Sequence, residues 1–414
     1  MLTIHQAQDP EPNKSNLKTG LAIAGGGPVG AIYELGTLRA FDESINGLKL
    51  HKLDVYVGVS SGALIAASLA NGITTMEMCR IFMGQEYASL RFDPERLMRP
   101  AYKEYFQRAS MLPGILGGSL LKMIKRPGYS NVSALVSELG KAVPSGIFNN
   151  ETIHHFLEEV FVTTGHGDHF DDLMCKLFIV AVDLDSGTAV RFGSDKHRDV
   201  SISRAVQASA ALPGLYPPVE INGHYYVDGA LRRTLHASAA LDEGVDLLIG
   251  VNPLVPYDAG ILGQDEEPSD QKLTAGGLPL ILSQTFRALI QSRMEAGFRK
   301  YRSSHPFADL VLLEPDRADE EVFFTNIFSY ASRRALCEHA YQATRRDLLA
   351  RADTLAPVLE KRGMSLNMDH LTDTNRTLDI SIGRGQSSHA KLARSLTSVL
   401  DDLDDLLEEP ATAT

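Results

Sequence analysis

Twice within its first 70 residues the chain passes from a short apolar segment into a glycine-rich turn and out along a helical pattern. Lys18 to Ala24, apolar from Leu21 onward, enters Gly25-Gly26-Gly27-Pro28-Val29-Gly30. Ile32, Leu35 and Leu38 then recur at helical spacing along Ala31 to Phe41. Asp54 to Val57 enters Gly58-Val59-Ser60-Ser61-Gly62, and small residues run on from Ala63 to Ala70. Strand, turn and helix repeated back to back require parallel strands with helices packed against them, so the pattern predicts an α/β fold around a mostly parallel sheet.

Further along, Leu177 to Val182 and Thr188 to Phe192 read as strands around the turn Asp183-Leu184-Asp185-Ser186-Gly187. Asn150 or Thr152 caps a helix with Ile153, Phe156, Leu157 and Val160 on its apolar face. Ser201 to Ala211 is a helix of small residues that breaks at Pro213-Gly214. A hairpin follows, with strands near Val219 and from His224 to Val227 and its turn at Asn222-Gly223. Asp246 to Val251 is another apolar strand. From about residue 275 the pattern is mostly helical, with amphipathic stretches over Leu278 to Arg302 and Ala331 to Arg362 and one strand-like run, Leu310 to Leu313, between them. The expected organisation is a flexible leader (1–17), a core (18–255) with a basic and apolar helical insert at about 85–130, a mostly helical C-terminal region (256–383), and a linker with an acidic amphipathic tail (384–414).

The net charge of −12 argues against a nucleic-acid binder, because neutralising phosphates takes clustered Lys and Arg. Cys79, Cys175 and Cys337 are far apart and odd in number, which suits reduced thiols rather than a disulfide or zinc framework. The N-terminal residues lack the apolar core of a secretory signal, and no stretch reaches the ~20 apolar residues of a membrane span. The expected location is cytoplasmic, with peripheral contact at the inner face of a membrane.

Chemistry concentrates in three turns. A G-x-S-x-G bend between strand and helix, here Gly58 to Gly62, exposes the serine hydroxyl at a helix N-terminus, and its glycines leave room for the bend. In Gly25 to Gly30, backbone N–H groups converge where a helix begins. That turn fits two readings: the G-x-G-x-x-G dinucleotide fingerprint, or an oxyanion hole for acyl transfer. The first needs an acid at the end of the next strand. Asp42 and Glu43 come too early and Asp54 begins its strand, whereas that strand ends in the serine turn. The order favours the oxyanion reading. The third turn, Tyr226-Val227-Asp228-Gly229-Ala230, places a carboxylate directly after a strand, where it can serve as a base for Ser60 or simply end the strand as an Asx turn. His236, eight residues on, would complete a Ser–Asp–His order, although that spacing is short for such a triad.

Taken together, Gly25 to Gly30, Gly58 to Gly62 and Asp228-Gly229-Ala230 resemble the patatin-like phospholipase family of lipid acyl hydrolases. Ala208-Ser209-Ala210-Ala211-Leu212-Pro213-Gly214-Leu215-Tyr216-Pro217-Pro218 and Ser145-Gly146-Ile147-Phe148 look like further family blocks, and the likeness spans roughly residues 18–255. It implies a three-layer patatin-like fold and a Ser–Asp dyad, with Ser60 as nucleophile and Asp228 as base. It also implies an oxyanion hole from Gly25, Gly26, Gly27 and Gly30, supported by Gly58, Gly62 and Gly229. The implied reaction is cleavage of fatty acyl esters through an acyl-serine, as a phospholipase A or esterase. The other readings are a dinucleotide-binding oxidoreductase built on Gly25 to Gly30 and a catalytically silent lipid binder. The family commonly has Arg or Lys where this chain has Val29.

No metal or organic cofactor is implied, since H-E-x-x-H, EF-hand and Walker A motifs are missing from the sequence. The expected partner is an acyl lipid. Residues 89–130 carry Arg91, Arg96, Arg99, Lys103, Arg108, Lys122, Lys125 and Arg126 against Asp93, Glu95 and Glu104, beside an apolar run from Met111 to Ile124. A basic and apolar insert suits an interfacial surface, a lid over the acyl site, or a helical pair packed on the core with a solvated basic face.

Overall fold

The computed structural model describes residues 1–7, 17–83, 99–114, 139–140, 142–258, 260, 273, 277–324 and 330–383. Eleven strands are present among these residues: β1 (Leu2–His5), β2 (Thr19–Ile23), β3 (Ile45–Asn46), β4 (Val55–Val59), β5 (Lys176–Asp183), β6 (Ala189–Phe192), β7 (Val219–Ile221), β8 (His224–Asp228), β9 (Leu247–Val251), β10 (Asp309–Leu313) and β11 (Ser365–Leu366). Nine form one mixed sheet in the order β1-β10-β9-β2-β4-β5-β8-β7, with β6 also paired to β5. The five central strands, β10, β9, β2, β4 and β5, run parallel. β3 and β11 make a separate two-stranded ladder.

The central strands are buried on both faces, as a parallel sheet between helices requires. In β2, Leu21 and Ile23 face one core while Ala22 faces the other. The first core is covered by α1 (Gly27–Ser44), α2 (Ser61–Ala70), α3 (Thr75–Phe82), α5 (Glu151–Thr164), α6 (Ile202–Ser209) and α10 (Tyr330–Ala350). The second lies under α7 (Ser238–Leu241) and α8 (Gly277–Ser304). The remaining described helices are α4 (Tyr102–Ala109), α9 (Glu320–Phe324), α11 (Ala352–Glu360), α12 (Met368–Thr372) and α13 (Leu378–Ser381). No helix among the described residues is long and apolar enough to cross a membrane.

Two boundaries differ from the sequence expectation. The leader of residues 1–17 begins with β1, which pairs antiparallel with β10 from Leu2↔Leu313 to His5↔Leu310, and Leu2 is buried. A four-residue strand at a sheet edge is too short to show a period. The boundary at residue 255 is also crossed, because β10 lies beside β9 and extends the same sheet. The 331–362 pattern divides at Arg351, where α10 ends and α11 begins. The Asn222-Gly223 turn is found as expected, with φ of 52° and 81° at its two central residues. Of the 89–130 insert, residues 99–114 are described and contain α4, with Tyr102 and Phe106 exposed. Residues 89–98 and 115–130, and the linker and tail at 384–414, lie outside the described residues.

α1, whose N-terminal turn carries Gly27 and Gly30, is held from behind by the C-terminal helices. A Cβ at Gly36 would come within 2.2 Å of the Cys337 carbonyl oxygen, so α1 and α10 meet backbone to backbone at a residue with no side chain. At the far end of α1, Glu43 accepts from Arg376 Nε (2.8 Å) and Nη2 (2.9 Å), from Arg39 Nη2 (3.1 Å), and from the Ser381 and Tyr341 hydroxyls. Burial alone would raise the Glu43 pKa; the hydrogen bonds from Arg376, Ser381 and Tyr341 and the charge of Arg39 outweigh it and hold the pKa at about 2.

A carboxyl depressed on folding stabilises the native state above its free pKa, and that stability is lost as pH falls toward about 2. Glu43→Ala leaves the partly exposed Arg376 without its partner and is expected to cost about 1–3 kcal/mol at neutral pH, read by urea denaturation. The loss should shrink on acidification. A constant loss would mean that the charge is not what holds α1 to the C-terminal helices.

Candidate active site

β5 brings the serine and the acid together. Val180 pairs with Val59 of β4 and with Arg191 of β6, so these two strands occupy opposite edges of β5. Ala181 pairs with Val190 of β6 and with Asp228 of β8, so β8 lies on the edge that β4 has just left. β4 runs parallel to β5 and β8 antiparallel, and they approach end to end along that edge. Ser60 is the residue that follows β4, and Asp228 is the last residue of β8.

Their side chains meet in that gap. The Ser60 hydroxyl donates to Asp228 Oδ2 at 2.6 Å, and both residues are buried. The other carboxylate oxygen, Oδ1, accepts the Ala230 N–H at 2.8 Å. Burial raises the Asp228 pKa to about 6 against the lowering effect of these two hydrogen bonds. The carboxylate is therefore a stronger base than a free one, while remaining ionised at neutral pH.

Ser60 has φ 53° and ψ −123°, a conformation that side chains rarely adopt, and α2 begins at the next residue. Its own N–H donates to Ser209 Oγ (2.9 Å), and that hydroxyl donates to the Val180 carbonyl (2.6 Å), which ties the bend to α6 and β5. A Cβ at Gly62 would lie 2.3 Å from the Ala24 carbonyl oxygen, and one at Gly58 2.5 Å from the Ala63 Cα, so both flanking glycines are required by close backbone approach. Gly229 likewise abuts the Val180 carbonyl.

The Gly25 to Gly30 turn lies against the serine: a Cβ at Gly25 would sit 2.7 Å from the Ser60 Cβ. The four amides expected to form the oxyanion hole differ. Gly26 N–H donates to Ser61 Oγ (2.8 Å) and Gly30 N–H to the Gly26 carbonyl (3.0 Å), so these two hold the turn itself. The N–H groups of Gly25 and Gly27 make no hydrogen bond among the described residues, and Gly27 heads α1 with φ 61°.

His236 does not complete a triad. The described partners of the Asp228 carboxylate are Ser60 and Ala230. His236 is buried with φ 44°, its Nε2 has no hydrogen-bond partner among the described residues, and burial lowers its pKa to about 4.

Three contributors escaped the sequence reading. Glu34 of α1 is fully buried, with Oε2 3.5 Å from the Ser61 hydroxyl that receives Gly26, and burial pushes its pKa well above the ordinary carboxylate value. Ser209 falls within the Ala208 to Pro218 block, but nothing in that block shows that its hydroxyl receives the Ser60 amide. Val29 packs against the apolar core, and Arg287 of α8 braces the loop that abuts the turn. Arg287 donates to the carbonyls of Pro253 (3.4 Å) and Val255 (3.3 Å) and lies over the Phe323 ring at 4.6 Å, and burial lowers its pKa to about 10. The Pro253 ring in turn packs against Gly26 and Gly30.

A family model described as Patatin-like phospholipase matches residues 21–241, more than half of the 414-residue chain. A curated relative, Probable lipid hydrolase 463L of Invertebrate iridescent virus 6, is 24% identical over 209 residues, covering 50% of this chain and 59% of that protein. The chain thus spans well under two thirds of that relative's length. Among solved structures, VipD from Legionella pneumophila is 18% identical with a TM-score of 0.31, covering 63% of this chain and 55% of that one. ExoU of Pseudomonas aeruginosa, in complex with SpcU, is 16% identical with a TM-score of 0.28, covering 88% of this chain and 70% of that one.

The raised Asp228 pKa carries a stability signature. A carboxyl whose pKa rises on folding adds stability below its free value of 3.8, and this is lost as pH rises through about 6. Asp228→Asn should therefore raise the unfolding free energy at neutral pH by on the order of 2–3 kcal/mol, and raise it much less near about pH 4, read by urea denaturation. An equal gain at both pH values would place its origin elsewhere than in the buried charge.

Proposed function

The chain belongs to the patatin-like phospholipase family, and from that premise we propose that it hydrolyses acyl esters of lipids with Ser60 as nucleophile and Asp228 as base. The observation that carries this reading is the direct 2.6 Å hydrogen bond from the Ser60 hydroxyl to the buried Asp228 carboxylate. As Ser60 Oγ attacks the ester carbonyl, Asp228 Oδ2 takes its proton. The carbonyl oxygen becomes an oxyanion facing the N–H groups of Gly25 and Gly27, with the positive ends of α1 and α2 behind it. Collapse releases the alcohol, which takes the proton back from Asp228, and leaves an acyl-serine. Water then attacks the acyl-serine while Asp228 accepts its proton; a second collapse frees the fatty acid, and Ser60 Oγ recovers the proton from Asp228.

Lipid as the substrate class follows from family membership and is in keeping with the name of the viral relative. The exposed Tyr102 and Phe106 of α4, one helical turn apart, suit a region that meets an interface, consistent with peripheral membrane contact through residues 89–130. The dinucleotide reading is less well supported, because the Gly25 to Gly30 turn is packed on Ser60 and closed from the other side by Pro253.

The test is hydrolysis of a medium-chain nitrophenyl ester and of phospholipid vesicles. Ser60→Ala and Asp228→Asn should each lose at least about 10³-fold in kcat while keeping the wild-type circular dichroism spectrum. His236→Ala should retain most activity if it folds. Substantial activity in folded Ser60→Ala would overturn the assignment. For wild type, kcat/KM should rise with pH through about 6 and then level, because the ionised Asp228 is the working form.

A further inference from the structure

We infer that His154, His155 and Glu158, on the outer face of α5, form a binding site for a divalent transition-metal ion, with zinc the best match to the ligand set. The site shares no residue with the Ser60–Asp228 centre and does not depend on the proposed hydrolysis.

The ligand atoms of these three residues, two imidazole nitrogens and a carboxylate oxygen, lie within 4.8 Å of one another. His154 Nε2 is 3.5 Å from Glu158 Oε1, and His155 Nδ1 is 3.2 Å from Glu158 Oε2. A tetrahedral ion with bonds of about 2.0–2.2 Å holds its ligands roughly 3.3–3.5 Å apart. The side chains therefore already stand near the separations that coordination demands. Two imidazoles with one carboxylate favour zinc and its neighbours over calcium or magnesium, which take oxygen.

A buried relay fixes the lone pair of His154. The Ser203 hydroxyl gives its single hydrogen to Asp168 Oδ2, while the Ser203 N–H binds Oδ1 at 2.8 Å. The Ser203 oxygen therefore acts as acceptor toward His154 Nδ1, 2.8 Å away, and the proton resides on Nδ1. Nε2 then faces the Glu158 carboxylate at 3.5 Å, where either a proton or a metal ion between the two atoms satisfies both. An imidazole held through its far nitrogen by a carboxylate-backed hydroxyl is the support that metal-binding histidines ordinarily have. His155 and Glu158 are 69% and 46% exposed, which leaves the remaining coordination positions open to water or to a ligand from outside.

The experiment is calorimetric titration of zinc into the full chain after dialysis against chelator. One ion per chain is expected, with affinity falling at least about 10-fold in His155→Ala and in Glu158→Gln. Both positions are exposed, so these variants should fold. Ser203→Ala removes no ligand yet should weaken binding by about 10–100-fold, with folding checked by thermal melting. If wild type binds no zinc, or if both ligand variants bind it as tightly as wild type, the site is wrong. If Ser203→Ala binds normally, the relay is not what prepares His154.

Discussion

A strand edge in a buried sheet cannot be left half paired, and β5 answers this by sharing one edge between two partners. β4 occupies it as far as Val180 and β8 takes over at Ala181. Where one strand stops and the other arrives, two chain ends must turn away from the sheet within a few ångströms of each other. The glycines at 58, 62 and 229 are the residues that allow this, since each is met by backbone where a Cβ would stand. Ser60 and Asp228 occupy the facing ends, and their side chains join across the junction by a 2.6 Å hydrogen bond. The proposed chemistry is thus located at a break in strand pairing along one edge of β5.

At that junction the Asp228 carboxylate is fully paired, whereas Glu34 Oε1 and His236 Nε2 nearby are buried without a hydrogen-bond partner among the described residues. Asp228 has one donor for each carboxylate oxygen, which lets a charge persist in the core, while burial raises its basicity. Nearby, Glu34 is also buried, its pKa raised by burial, and it accepts from the Ser61 hydroxyl that receives the Gly26 N–H. Pro253, tethered by Arg287, closes the turn from the other face. The C-terminal helices therefore belong to the site's support: α8 holds the Pro253 segment and α10 fixes α1 through Gly36 and Glu43.

Much of this was legible in the sequence, and the boundary of legibility has a physical basis. Local chemistry shows in local pattern. The two strand–turn–helix units, the Asn222-Gly223 hairpin and the residues Ser60 and Asp228 each carry their own signal within a few neighbours. Contacts made across the fold leave no such trace. A buried Glu34 reads as one more polar residue in an amphipathic helix, and Arg287 as one more surface arginine of α8. The edge strand β1 was invisible because its partner β10 lies some 300 residues away and four residues cannot display a period. The division between α10 and α11 was hidden for the converse reason, since the apolar rhythm continues through Arg351 while the backbone does not. For the oxyanion turn the sequence identified four glycines, but only the hydrogen bonds distinguish those that brace the turn from those left with open amides.

The separation of Ser60 from Asp228 also has a meaning in time. They stand 168 residues apart in the chain. At ribosomal rates of about 5–20 residues per second, roughly 10–30 s pass between the emergence of the serine and that of its base. During that interval β4 can pair with β2, but no carboxylate has arrived to draw the proton from the Ser60 hydroxyl. Under the proposed mechanism, the nascent chain therefore has no base for Ser60 until β8 closes against β5, and assembly of the sheet is what completes the pair.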